Sequence, residues 1–356
     1  MIKITDGNLL TASVEALVNT VNTEGVMGKG IALQFKLAYP MMFKAYEAAC
    51  KNGEVRLGEM HVFDLGGLVD GHRWIINFPT KGHWRSRSKL IDIESGLKSL
   101  VNTIGKLGIK SIAVPPLGCG NGGLSWDDVR PLIEEAFSPI PDVEVLVFPP
   151  SGAPDAQVMP IRTTRPKITP GRAALISMME RYQAGLLDPF MSLLEIHKLM
   201  YFLQEAGQPL RLKYEAKLYG PYASNLRQVL IQLEGHYIQG YGDGVDSPTK
   251  KITLRPGASE AAKEELNADT ELMSRIIRVH KLIEGYEDPY GLELLSSMHW
   301  ILAHHPEARE SVDEAIELVH SWNPRKRKIL QPVHLTSAWE RLREERWDLE
   351  STSSVH

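Results

Sequence analysis

The chain has 356 residues, formal net charge −4, and hydrophobic and charged fractions of 43% and 24%. That length suits two domains with separate cores, and the composition lies outside the disordered, collagenous and membrane classes. Two cysteines cannot build a disulfide framework, no apolar run of spanning length is present, and the first ten residues lack the pattern of a secretion signal, so a cytoplasmic setting and no membrane partner are expected.

In chain order, short β-branched runs alternate with helix-period stretches up to residue 150, the pattern of an α/β domain. Strands are expected at Ile2–Ile4, Ala16–Asn19, Met60–Asp64, Trp74–Phe78, Ser111–Val114 and Val143–Phe148. Helices are expected at Ile31–Lys51, Ser88–Leu107 and Ser125–Phe137, giving a mixed sheet flanked by helices. Residues 151–170, rich in proline, read as a linker. Residues 171–347 then read as a mainly helical, winged-helix-like second domain, with helices at Arg172–Gln183, Ser192–Glu205, Asn225–Leu233, Ala258–Glu284 and Leu292–Ala303. Strand-like runs fall at Leu210–Tyr219 and Lys250–Leu254, Ser192 and Glu195 have capping-box spacing, and 348–356 reads as a loose tail. The basic run Arg325-Lys326-Arg327-Lys328 reads as solvated.

Glycine-rich loops follow predicted strand ends, where an open α/β sheet holds its ligand crevice. One begins at Asn8 and Leu9. A second runs from Asn19 and Asn22 to Met27, Gly28, Lys29, Gly30, Ile31 and Ala32. A third holds Pro116, Gly118, Cys119, Gly120, Asn121, Gly122, Gly123 and Leu124. Glycines at this density let backbone N–H groups approach phosphate, and two facing loops suit a diphosphate. From Lys81 to Lys89 the chain carries four cations, His83 and Trp84, with no acid. Basic residues interleaved with an aromatic suit single-stranded nucleic acid, so His83, Trp84, Arg85 and Arg87 are candidate DNA contacts. Cys119 has no nearby histidine to activate it, and the histidines and cysteines lack metal-ligand spacing, so neither a catalytic thiol nor a metal is expected.

Over residues 1–150 these motifs resemble the macrodomain, the ADP-ribose-binding fold. Asn77-Phe78-Pro79-Thr80-Lys81 with His83-Trp84-Arg85 is similar to its DNA ADP-ribosyl glycohydrolase antitoxin branch. The resemblance implies removal of ADP-ribose from modified DNA bases, thymidine above all, with Lys81 catalytic. No cofactor is implied beyond ADP-ribose as ligand and product. It also implies binding of the glycine-loop residues to ADP-ribose, with Asn8 at the adenine. Related lysine-using hydrolases carry an acid where this chain has Gly122, so a second catalytic group stays open among Glu24, Asp127 and Asp128. Lys81 has two routes: a cation that stabilises the departing base, or a neutral amine that attacks the opened sugar. The alternatives to DNA hydrolysis are a non-catalytic ADP-ribose reader and a hydrolase of protein-linked or O-acyl-ADP-ribose. In the second domain, Tyr219-Gly220-Pro221 resembles an element of antitoxin domains related to the proteolytic adaptor SocA. That resemblance implies docking of a cognate DarT-like toxin, with Tyr214, Tyr219, Tyr222, Tyr237 and Tyr241 as candidate anchors.

Overall fold

The computed structural model describes residues 1–152, 154–185, 190–266 and 269–348. It divides into two units, 1–164 with 242–245, and 165–241 with 246–356. Among the described residues no helix is long and apolar enough to cross a membrane. The tail expected at 348–356 lies outside the described residues from 349 onward.

The first unit is a six-stranded mixed sheet in the order β1-β6-β5-β2-β4-β3, as the α/β reading requires. The strands are β1 (Ile2–Ile4), β2 (Ala16–Asn22), β3 (His61–Val69), β4 (His72–Lys81), β5 (Ser111–Val114) and β6 (Glu144–Val147). Only β3 runs antiparallel to its neighbour. The helices are α1 (Gly30–Ala38), α2 (Pro40–Lys51), α3 (Leu90–Leu107) and α4 (Trp126–Phe137). Central β2 is buried at nearly every position because helices cover both faces of the sheet. One core joins the sheet to α3 and α4 through Phe78, Ile93, Leu97, Val129 and Ile133; another joins it to α1 and α2 through Leu17, Phe35, Met42 and Tyr46. The helix α3 comes so close to β4 that a Cβ on Gly96 would stand 2.3 Å from the Phe78 ring, which is why glycine sits there.

The single helix expected over Ile31–Lys51 is two. Pro40 has no N–H to continue the ladder and disfavours helical backbone at Tyr39, which sits at φ −131°, ψ 69° and ends α1. Both β2 and β4 run three residues further than periodicity suggests, so Asn22 and Lys81 stand on strands and pair in register across a β-bulge. The proline-rich stretch packs on this unit as far as Thr164: Asn8 Nδ2 donates to the Val158 carbonyl at 3.2 Å, Arg162 N–H to that of Leu37 at 2.9 Å, and Arg162 pairs with Asp70.

The second unit is mainly helical: α5 (Pro170–Ala184), α6 (Leu193–Glu205), α7 (Leu226–Leu233), α8 (Ala258–Leu266), α9 (Thr270–Ile283), α10 (Pro289–His304), α11 (Val312–Trp322), α12 (Pro324–Ile329) and α13 (Pro332–Glu344). A small sheet in the order β10 (Ile238–Gln239), β11 (Lys251–Leu254), β7 (Met191–Ser192) and a hairpin of β8 (Tyr214–Lys217) with β9 (Gly220–Ala223) complete it. The capping box at Ser192 and Glu195 forms as expected. The helix expected over Ala258–Glu284 is interrupted, because the Asp269 carboxylate accepts the Leu272 N–H and starts a new helix.

The basic run at 325–328 is only half solvated: Arg327 and Lys328 are exposed as expected, while Arg325 and Lys326 turn inward. Lys326 is fully buried, donating to Glu293 Oε1 at 3.0 Å and Ser297 Oγ at 2.7 Å, while Arg325 grips both Glu293 oxygens at 2.5 and 3.1 Å. The Arg325 guanidinium also lies 4.4 Å from the Tyr219 ring centroid. Beside them Lys198 is buried and donates to the Pro221 carbonyl at 2.7 Å. Two of the five tyrosines expected as anchors, Tyr237 and Tyr241, are core residues instead. The Tyr241 hydroxyl donates to Asp246 at 2.6 Å, a partner that lets the ring sink fully.

Candidate active site

Adjacent strands β4, β2 and β5 all run parallel, so their C-terminal ends meet at one edge of the sheet. The loops that leave them are 23–29, 82–89 and 115–125. A Cβ on Gly30 would stand 3.2 Å from Asn121 Nδ2, so the loops after β2 and β5 face each other closely, and the φ of +59° at Gly30 itself favours glycine.

Lys81 ends β4 and its Nζ donates to the Asn121 carbonyl at 3.0 Å. The amine therefore leans over the third glycine loop. Partial burial, which disfavours the charged form, pulls its pKa below the ordinary lysine value. Asn22 shapes the second loop: its Oδ1 accepts N–H groups of Glu24 at 2.9 Å and Val26 at 3.3 Å, and its Nδ2 donates to the Val26 carbonyl at 2.6 Å. Thr23 fastens that loop to the end of β4, its N–H and hydroxyl both reaching the Gly82 carbonyl at 3.0 and 3.2 Å.

Met27 is buried against this loop, and Gly28, Lys29, Ile31 and Ala32 carry it into α1. Within the same unit, the Gly30 N–H donates to the Asp243 carbonyl at 2.8 Å. Asn19 stands apart from this edge: it is fully buried and donates to Asn77 Oδ1 at 2.9 Å. Asn8 uses its oxygen to cap the turn at Leu9–Thr11, accepting the Leu10 N–H at 3.0 Å.

The loop after β5 folds on itself. Cys119 N–H donates to the Pro116 carbonyl, Gly123 N–H to Gly120 and Leu124 N–H to Gly118, each at 3.1 Å. Gly118 and Gly123 have φ of +72° and +75°, which favours glycine at both. At Gly122 the constraint is space: a Cβ would stand 2.3 Å from Ser88 Oγ and 2.4 Å from the Gly118 carbonyl oxygen, so no side chain, acidic or otherwise, fits at this position as the loop stands. The Cys119 thiol is pushed up to about 11 by burial and by Asp128, and so stays protonated near neutrality.

Of the three carboxylates left open, Glu24 lies on the Lys81 side, 3.6 Å from His83 Nε2. Asp127 and Asp128 sit in the first turn of α4. His83 stacks on Trp84 with centroids 5.6 Å apart, and the Arg85 guanidinium lies 4.4 Å from the Trp84 ring. Trp84 is 42% exposed, and Arg85, Arg87 and Lys89 project from the same segment into solvent. The cationic rim is thus continuous in sequence with the strand end that carries Lys81.

Sequence reasoning missed Ser88 and Tyr46. The Tyr46 hydroxyl donates to the Asn22 carbonyl at 2.6 Å from the middle of α2, and Ser88 packs beneath the third loop. Neither carries a local signal, because each meets its partner only across the fold.

The Macro domain family model matches residues 18–133. A DNA ADP-ribosyl glycohydrolase of Thermus aquaticus is 46% identical over 327 residues, which is 92% of this chain and 89% of that protein. The macrodomain of Mycobacterium tuberculosis DarG is 60% identical, over 42% of this chain and 99% of that one, with a TM-score of 0.42. A DNA ADP-ribosyl transferase-DNA ADP-ribosyl glycohydrolase fusion protein of Thermosipho africanus is 34% identical over 175 residues, 45% of each chain.

Proposed function

Since the chain belongs to the DNA ADP-ribosyl glycohydrolase family, we propose that Lys81 cleaves the bond between ADP-ribose and a DNA base, thymidine above all, as an antitoxin activity. The observation that carries this reading is the Lys81 amine 3.0 Å from the Asn121 carbonyl, on the glycine loop that would cradle the diphosphate. Cleaving an N-glycosidic bond gathers positive charge on the sugar and negative charge on the departing base. An ammonium at the junction stabilises the base, and a neutral amine can instead attack the opened sugar carbon. Glu24 is the carboxylate this reading prefers as the second group, because it stands on the rim beside His83.

The exposed side chains of His83, Trp84, Arg85, Arg87 and Lys89 support single-stranded DNA over a protein-linked substrate, since a protein carrier needs no cationic, aromatic rim. The test is release of ADP-ribose from modified single-stranded DNA over a salt series. Double substitution Arg85→Ala, Arg87→Ala should flatten the salt dependence of DNA binding by about 1.4 in log–log slope, at roughly 0.7 per phosphate contact on a single strand. An unchanged slope removes these arginines from the DNA interface.

The second unit is the proposed toxin-docking module. Support comes from its own core and from the Thermosipho africanus relative whose name joins transferase and glycohydrolase in one chain. Residues 165–356 are expected to co-purify with the transferase without the first unit. Capture by the intact chain alone would place docking elsewhere.

A further inference from the structure

Ser88 lies two residues before α3 and is 5% exposed. Its N–H donates to the Gly122 carbonyl at 3.0 Å, which ties the segment after β4 to the third glycine loop. Its hydroxyl is different, because that oxygen is buried without a hydrogen-bond partner among the described residues. It nonetheless lies against the loop, 3.2 Å from where a Cβ on Gly118 would stand and 2.3 Å from one on Gly122. The Gly118 carbonyl oxygen flanks that same point at 2.4 Å, and it accepts the Leu124 N–H at 3.1 Å, which leaves it a second lone pair. A hydroxyl and a carbonyl thus border one small space without bonding across it.

A buried hydroxyl left unbonded costs free energy, and a glycine at 122 keeps the space beside it clear. An alanine at 88 would avoid that cost, which points to a use for the hydroxyl in some other arrangement of the loop. We infer that Ser88 is a positioning residue for the ligand-bound loop. When Gly118–Leu124 draws in on a diphosphate, the Ser88 hydroxyl donates to the Gly118 carbonyl and locks the loop amides toward the phosphates. This inference rests on the reading of that loop as the diphosphate cradle, and it adds a residue that spends its hydrogen bond only when ligand is bound.

The test compares wild type, Ser88→Ala and Ser88→Cys in the full chain, by melting with and without ADP-ribose and by calorimetric titration of ADP-ribose. For Ser88→Ala, the melting temperature without ADP-ribose should stay level or rise, while ADP-ribose binding weakens about tenfold and its thermal shift shrinks. Cysteine, somewhat larger and a weaker donor, should fall between the two. A merely structural serine gives the opposite pattern, with lower melting without ADP-ribose and affinity within twofold of wild type, and that result overturns the inference. If wild type binds ADP-ribose and Ser88→Ala binds it equally, only this inference falls. If wild type binds none, the cradle reading falls and takes the inference with it.

Discussion

Replacing Lys81 by alanine is expected to lower turnover of ADP-ribosylated single-stranded DNA by about 10²–10⁴-fold, the range for losing a positioned acid–base or charged group, with ADP-ribose affinity nearly retained. The amine touches the loop through a single carbonyl, that of Asn121, so its removal leaves the loop's own hydrogen bonds in place. The pH profile then separates the two roles. Burial lowers the Lys81 pKa, so the neutral amine becomes available at a lower pH than for a free lysine. An attacking amine makes activity rise with pH through that lowered value; a stabilising cation makes activity fall through it. Turnover by Lys81→Ala equal to wild type would remove the lysine from the mechanism altogether.

A second large effect is expected in the other unit. Glu293→Gln should destabilise it by about 3–5 kcal/mol, because the substitution leaves a buried lysine without its counter-charge. Burial works against the Glu293 charge, but Arg325 and Lys326 outweigh it and hold the carboxyl below its ordinary value. Lys198 is pushed far down, first by burial and then by Lys326. A carboxyl depressed by folding contributes stability that is present above its unfolded value, about 4.3, and that is lost as pH falls through the depressed one. Hydrogen exchange in α10 and α12, and the urea midpoint of the intact chain, read this directly. A shift below about 1 kcal/mol would mean the charges are not coupled as their contacts indicate.

The Gly220 turn explains why the cluster matters locally. Gly220 has φ of +98°, and a Cβ there would stand 3.0 Å from Ser297 Oγ and 3.1 Å from Lys198 Nζ. The Tyr-Gly-Pro element therefore sits directly on the buried charges, and loosening them should loosen the hairpin of β8 and β9.

Much of the first unit was legible because its signals are local. Alternating β-branched runs and glycine loops after strand ends each act within a few residues. The strand ends were less legible: Pro79 and Lys81 look like loop residues, yet the ladder with β2 continues to Asn22. The inward turn of Arg325 and Lys326 was invisible in sequence, since their acidic partner Glu293 lies 32 and 33 positions upstream. Asn8 and Asn19 have structural roles that were equally hidden in sequence, since the fold uses one to cap a turn and buries the other between strands.

That buried asparagine has a further effect. Asn19 donates to Asn77, and Asn77 lies 3.1 Å from His61 Nδ1, so amide and imidazole form a polar rung across three neighbouring strands inside an aliphatic sheet. Sliding β4 by one place would point Asn77 to the opposite face and leave two amides stranded in hydrocarbon. The same slip would turn the Lys81 amine, four residues along, to the wrong side of the sheet. Interior polarity thereby sets the alignment on which the placement of that amine depends.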